Sequence, residues 1–421
     1  MSLAERNDAL VTCNHCGFCQ AVCPIFQVTG REEGVARGRV ALMSALVEGT
    51  LPWSRELEDV LYTCLLCGAC TAGCFPAVPA ADLVLEARRE FLEKTGRKTF
   101  HRLLFDHLLP YPSRLRLAAR LVAAAGRPAS PRLTRALGLL KFLGPDFPET
   151  LKIPGELPSV PLRDRLRPQV LPGRGKSLVA AYFVGCGMDL AVPEAGLATL
   201  HLLRETCRTV DLLPNSCCGL PPETYGDRPA ARRLAEKNLK LFSAKPYDLI
   251  VTDCSSCAGF LKKYPQLFPE GESGRTARQV VGKIKDLVEI LDLLDLRPKS
   301  LPERPSLTYH DPCHACRGQG LFREPRQALR ALDNVDFLEL KEADWCCGGA
   351  GSYSLANYRL ARKVLDRKVD NILAGGAEMV VTSCPSCLIH LNYGLRERGS
   401  RVRALHLSQV LRRLTQGSPP G

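Results

Sequence analysis

The sequence predicts an α+β multidomain chain. A helical N-terminal module spans 1–95, a helical linker 96–175, and two duplicated α/β units follow over 176–300 and 301–421, related by a pseudo-two-fold. Three observations carry this prediction. The twenty cysteines are clustered, and those at 13, 16, 19 and 23 recur at 64, 67, 70 and 74, each displaced by 51. A second set, at 186, 217, 218, 254 and 257, recurs at 313, 346, 347, 384 and 387, displaced by 127 to 130. Self-similarity at so long a period marks duplicated domains. Finally, the 421 residues are 45% apolar and 24% charged, enough for several cores and unlike a disordered chain. No run approaches 18 uncharged apolar residues, so no membrane-spanning helix is expected.

The first module is defined by its thiols. The stretch before Cys13 carries Glu5, Arg6 and Asp8 and lacks the apolar core of an export signal, which predicts a cytoplasmic location. Thiols there are metal ligands, redox groups or small buried hydrophobes rather than structural disulfides. Each run reads Cys-x2-Cys-x2-Cys-x3-Cys, with Pro24 after Cys23 and Pro76 two residues after Cys74. Zinc sites use two Cys-x2-Cys pairs, not two four-cysteine runs. The spacing resembles a bacterial two-cluster ferredoxin, in which the fourth cysteine of each run serves the other cluster. That resemblance implies one [4Fe–4S] cluster on Cys13, Cys16, Cys19 and Cys74, and another on Cys64, Cys67, Cys70 and Cys23. Apolar spacing predicts helices over 35–47, 57–66 and 80–95. The 40 residues between the runs suggest the helical ferredoxin variety of succinate-dehydrogenase-like carriers.

The linker has no cysteines and is rich in Arg, Leu and Pro. Residues 97–109 and 114–125 read as short basic amphipathic helices. Pro158, Pro161, Pro168 and Pro172 mark an irregular stretch. The segment is either a connector packed on both halves or a docking surface for a partner subunit or an anionic membrane face.

In the C-terminal half, short β-branched or apolar runs over 177–184, 249–253, 306–310, 336–340, 378–383 and 401–405 read as strands. Helical patterns fall over 194–207, 229–244, 276–293, 325–332 and 355–374. Alternation of this kind predicts a parallel sheet in each copy. Cys186, Cys254, Cys313 and Cys384 then fall at the carboxyl ends of strands, where such sheets place their sites. Each copy offers five thiols: Cys186, Cys217, Cys218, Cys254 and Cys257 in the first, and Cys313, Cys346, Cys347, Cys384 and Cys387 in the second. Cys207 reads as a core cysteine. Cys316 is either a spare or an alternative ligand.

The pattern of a single cysteine, Cys-Cys-Gly and Cys-x2-Cys resembles the cysteine-rich CCG domain of the heterodisulfide reductase superfamily. Fused to a two-cluster ferredoxin it resembles the catalytic subunit of the membrane-type heterodisulfide reductase, and also the glycolate oxidase iron–sulfur subunit and related lactate and glycerol-3-phosphate dehydrogenase subunits. The motifs that lean this way are 13-CNHCGFC-19, 36-ARGR-39, 309-YHDPCH-314 and 343-ADWCCGGAG-351. Both Cys-x2-Cys pairs, Cys254/Cys257 and Cys384/Cys387, are intact, which is closer to heterodisulfide reductase and lactate-utilisation members. The resemblance implies one or two further iron–sulfur clusters, non-cubane in kind, in the CCG domains.

No flavin or nicotinamide fingerprint is present, and Gly173-Arg-Gly-Lys-Ser177 lacks the first glycine of a phosphate loop. The chain thus carries electrons singly and has no centre for hydride chemistry. No catalytic residue is assigned. The favoured expectation is the electron-transfer subunit of a flavin-dependent glycolate or D-lactate dehydrogenase. A partner FAD flavoprotein would oxidise the substrate, and a membrane quinone or another carrier would accept the electrons. The alternative is a thiol–disulfide oxidoreductase acting at the CCG clusters. His310 and His314 flank Cys313, for hydrogen bonding to a cluster or for proton delivery. His15 either tunes a cluster or is solvated, and Arg37 and Arg39 either screen cluster charge, meet a partner or are solvated. The formal charge of +13 comes with only 6% aromatic residues and no nucleic-acid motif, so nucleic acid is excluded as a partner. The positive charge suits an acidic protein or the inner leaflet.

Overall fold

The computed structural model describes residues 3–125, 146–155, 157–166, 169–294, 296, 298–300 and 304–416. Its two sheets share one plan. In the first, β2 (Val179–Tyr182) lies between β3 (Thr209–Leu212) and β4 (Leu249–Thr252), and β5 (Ile284–Asp286) flanks β4, all parallel. In the second, β6 (Ser306–Tyr309) lies between β7 (Asp336–Phe337) and β8 (Met379–Thr382), with β9 (Arg403–His406) beyond. The first sheet gains one edge strand, β1 (Val170–Pro172), antiparallel to β3.

The copies interlock. The segment after β5, Leu287–Leu293, packs on helix Glu324–Arg330 of the second copy, and the helix after β9, Leu407–Gln416, packs on Pro193–Thr206 of the first. Each copy thus completes the other's core. The largest apolar cluster accordingly runs from Phe105 through both sheets to Leu414.

Several expected elements moved. The helix expected over 276–293 is three pieces: helix Gly271–Val280, strand β5, and a 3-10 turn from Leu287. Gly282 interrupts the helix, β5 gains a ladder beside β4, and Asp286 and Glu289 form a capping box that restarts the chain. Strands β3, β5 and β1 were not anticipated, because a sheet neighbour rather than local pattern makes them strands. In the linker, Leu103–Leu108 is a π-helical stretch between helices Thr99–Arg102 and Pro112–Ala125. Pro168 lies outside the described residues, and Pro172 sits at the sheet edge, where its missing N–H does no harm.

In the N-terminal module, helices Ala36–Val47, Arg55–Tyr62 and Ala80–Thr95 enclose their own core around Met43, Leu61 and Leu83. Arg88 fastens this module to the first copy. Its guanidinium donates to the carbonyls of Leu61 and Cys64 and, at 2.7 Å, of Thr224. Tyr353 of the second copy donates to Thr63 O at 2.9 Å.

Candidate iron–sulfur centres

The two cysteine loops of the first module have matching backbones. His15 and Leu66, which occupy the same place in the two runs, both have left-handed φ, as do Gly17 and Gly68 after them. This repeated reversal curls the chain around each pocket, and the Leu66 N–H reaches Cys64 Sγ at 3.4 Å. One pocket is lined by Cys13, Cys16, Cys19 and Cys74. A second is lined by Cys64, Cys67, Cys70 and Cys23. The fourth thiol of each run therefore faces the other run's pocket; Cys70 also borders the first. Burial pushes the Cys23 thiol up to about 11, while Arg39 pulls it down.

Arg39 is buried, not solvated, and donates to Val60 O and Thr63 Oγ1 at 3.1 Å and to Gly34 O. Arg37 pairs with Glu32 and donates to His15 O at 3.1 Å, so its role is to brace the first loop. The His15 ring is exposed.

All ten thiols of the duplicated units line one cavity of about 890 Å3 at the facing ends of the two sheets. They form a chain of contacts. In the first copy Cys186 meets Cys217, Cys217 meets Cys218, Cys218 meets Cys257, and Cys257 meets Cys254. Cys254 then meets Cys384 of the second copy. From there the order is Cys387, Cys347, Cys346 and Cys313. Cys346 also meets Cys67, which lines the second pocket of the N-terminal module. One line of sulfurs thus runs from that pocket through the second copy to the first. Within it, the proximity of Cys217 and Cys257 lowers the Cys218 thiol. That of Cys346 and Cys387 lowers Cys347.

The adjacent cysteines are held by their glycine. Gly219 and Gly348 have φ of +97° and +78°, and a Cβ there would lie 3.1 Å from Ala231 O and 2.6 Å from Ala361 O. Only glycine lets the Cys-Cys turn press against the following helix. N–H groups point at sulfur nearby: Gly348 to Cys346 Sγ, Gly349 to Cys347 Sγ and Cys257 to Cys254 Sγ, all 3.4 Å.

His314 lines the cavity and lies 3.2 Å from Ser256 Oγ through Nδ1, its pKa lowered by burial. Cys207 is fully buried in the apolar core. Burial pushes the Cys316 thiol up to about 11, and it feels the charges of Arg317, Asp311 and Asp344. Sequence reasoning missed His390, whose Nδ1 lies 2.8 Å from Cys347 O, although it sits one turn past Cys387 on the same helix. It also missed Lys368, fully buried with Nζ 3.1 Å from Ala343 O and lowered to about 8 by burial. No local motif marks a helix lysine as buried.

The donor set suits iron–sulfur clusters. It is sulfur-rich, supplied with N–H donors, and grouped in pockets rather than paired for disulfides. The fold and thiols thus define an iron–sulfur redox protein. Comparison narrows the class. Residues 9–77 match the 4Fe-4S dicluster domain family, 96–151 the glycolate oxidase iron-sulfur subunit linker region, and 180–262 and 307–392 the cysteine-rich domain family. The chain is 33% identical to a probable glycolate oxidase iron-sulfur subunit of Bacillus subtilis, over 97% of this chain and 95% of that one. It is 28% identical to the glycolate oxidase iron-sulfur subunit of Escherichia coli, over 92% and 91%. A lactate utilization protein A of an Exiguobacterium species matches at 28%, over 55% of this chain and 96% of that one. The chain belongs to the glycolate oxidase iron–sulfur subunit family of CCG-domain proteins. Among the described residues no helix is long and apolar enough to cross a membrane.

Proposed function

We propose that the protein is the electron-transfer subunit of a flavin-dependent 2-hydroxyacid dehydrogenase, of glycolate or D-lactate type. The observation that carries this reading is the continuous line of thiols from the N-terminal module to Cys186. In this reading Cys13, Cys16, Cys19 and Cys74 hold one [4Fe–4S] cluster, and Cys64, Cys67, Cys70 and Cys23 the other. The five thiols of each CCG copy hold a further cluster. When bound, such clusters supply one-electron transfer between a flavin on a partner subunit and a quinone or another carrier.

The chain's own residues set the order of the centres. The Cys13 pocket is outermost, with Cys16 exposed. Around it Val11 and Phe18 are each 68% exposed and Phe75 is 94% exposed, an apolar rim fit to meet a partner protein. The Cys67–Cys346 contact joins the inner pocket to the second copy, and Cys254–Cys384 joins the copies. Arg39 and Arg88, both buried, place fixed positive charge beside thiolates that would otherwise be costly to desolvate. In this reading the ferredoxin module ends at 95, the linker at 175 and the first CCG domain at 300.

The test is reduction of the protein by glycolate or D-lactate, followed by electron paramagnetic resonance. Reduction is expected only when the flavoprotein is added; reduction of this subunit alone would overturn the division of labour. The meeting of two intact Cys-x2-Cys pairs beside an open cavity favours a second reading, disulfide cleavage at the CCG sites. Steady-state reduction of an organic disulfide by the chemically reduced protein would establish it.

A further inference from the structure

The two copies differ where their thiols meet the sheets. The residue after β2 is Phe183, and its counterpart after β6, 127 positions on, is His310. Phe183 packs against Phe242, ring centroids 5.9 Å apart, and offers no donor atom. His310 is 1% exposed, and neither of its ring nitrogens finds a hydrogen-bond partner. An imidazole buried without partners is costly, so something else must satisfy it. The ring is directed at sulfur. One of its nitrogens and the sulfurs of Cys347 and Cys387 all lie within 4.8 Å of one another. The approach is close enough to lower the Cys347 thiol, yet no well-aligned N–H···S bond forms. His390 is the other imidazole near Cys347, but the Cys347 carbonyl occupies its Nδ1.

We infer that His310 is a nitrogen ligand of the iron–sulfur cluster in the second copy. The first copy's site is all-thiolate, and the second is a mixed thiolate–imidazole centre. This rests on the reading that the copies hold clusters. The histidine stands where the first copy has Phe183, so the second site keeps the same five thiols and gains a neutral nitrogen donor. The mixed site is the one adjoining the N-terminal module through Cys346.

The experiment uses anaerobically purified full-length protein, iron analysis, and pulsed electron paramagnetic resonance on samples with and without 15N-labelled histidine. The second-copy signal is identified by its loss in Cys387→Ala. A histidine nitrogen coupling is expected on that signal. It should vanish in His310→Phe, which installs the first copy's residue, and persist in His390→Phe. His310→Cys keeps a ligand in place should His310→Phe fold poorly; it should retain the iron and move the midpoint potential downward. A second-copy signal without histidine coupling, or coupling lost in His390→Phe rather than His310→Phe, overturns the assignment and leaves the proposed function standing. About 8 iron per chain, with no signal sensitive to Cys387, overturns the filled-copy reading and this inference with it.

Discussion

The two cysteine-rich copies share strand order, five thiols and a left-handed glycine, but surround the thiols differently. In the first, Phe183, Phe260 and Asn238 stand where the second has His310, His390 and Lys368. Asn238 donates to Cys217 O at 3.0 Å, whereas Lys368 carries its ammonium group to Ala343 O. What stays the same is what geometry demands: the thiol positions and the glycine that lets a turn close. What differs is the polarity around the sulfurs, and polarity sets potential without altering the frame. Duplication here yields two sites of one shape and different electrostatics.

The largest effect expected tests whether both sites are filled. With all four centres loaded the protein should carry about 16 iron. Replacing Cys254 and Cys257 by alanine should remove about four, and replacing Cys384 and Cys387 about four as well. Iron and sulfide analysis on anaerobic preparations reads this directly. A loss confined to one variant would mean that only that copy is a metal site.

The next contrast lies where the last strand of each sheet ends. Asp286 closes β5 and His406 closes β9, in the same register against Thr252 and Thr382. Burial raises the Asp286 carboxyl to about 7, against hydrogen bonds from Ser255, the Val288 N–H and Gln319. The unfolded chain loses that proton near pH 4, so the folded state holds it alone between about 4 and 7. Stability from this group is full below pH 4 and falls as the pH rises to 7, by roughly 4 kcal/mol at most. Asp286→Asn should abolish that decline in denaturant titrations at pH 5 and pH 8. His406 runs the other way. Burial lowers its pKa, and Nε2 lies 2.8 Å from Asp253 O. Its contribution is full above about 6.5 and is lost as the pH falls through the lowered value. His406→Gln should therefore flatten the acid limb while leaving the alkaline one. A common response of both variants would remove the contrast.

A smaller difference is expected at the paired glycines. Alanine at either must take a left-handed φ, and at Gly348 its Cβ would meet Ala361 O at 2.6 Å rather than the 3.1 Å from Gly219 to Ala231 O. Gly348→Ala should cost about 2–3 kcal/mol and Gly219→Ala about 1–2 kcal/mol, read as a shift in Tm of the metal-loaded protein. The reverse order would show the first copy to be the tighter.

The thiol groups were legible in the sequence because ligand spacing is local: three cysteines on one loop must be a few residues apart whatever the fold. The duplication was legible for the same reason. The central strands β2, β4, β6 and β8 announced themselves as apolar runs before cysteines. Strand β5 did not, since Ile284-Lys-Asp286 becomes a strand only by lying beside β4. The Cys67–Cys346 meeting joins residues 279 apart and follows from packing of Tyr353 and Trp345 against the first module, which no spacing encodes. The exchange of phenylalanine for histidine between copies could have been read by laying one copy on the other at offsets of 127 and 130. Its meaning needed the burial of His310 and the absence of a partner for it.

The smallest effects concern the extra thiol each copy carries. Cys207 follows helix Pro193–Thr206 and is sealed in the core, where burial pushes its thiol up to about 11. Cys207→Ala should cost about 1 kcal/mol through the lost sulfur volume and leave the iron content unchanged. Cys316 is one turn after Cys313 on helix Cys313–Gln319, but it stands beside Arg317 and Asp344, off the line of sulfurs. Cys316→Ser should leave iron and spectra near the parent values, because Cys316 lies off the line of sulfurs and is only partly buried. A loss of about four iron in that variant would instead draw Cys316 into the second site, which would then exceed the first in sulfur as well as in nitrogen. The five-thiol symmetry of the copies stands or falls on that substitution.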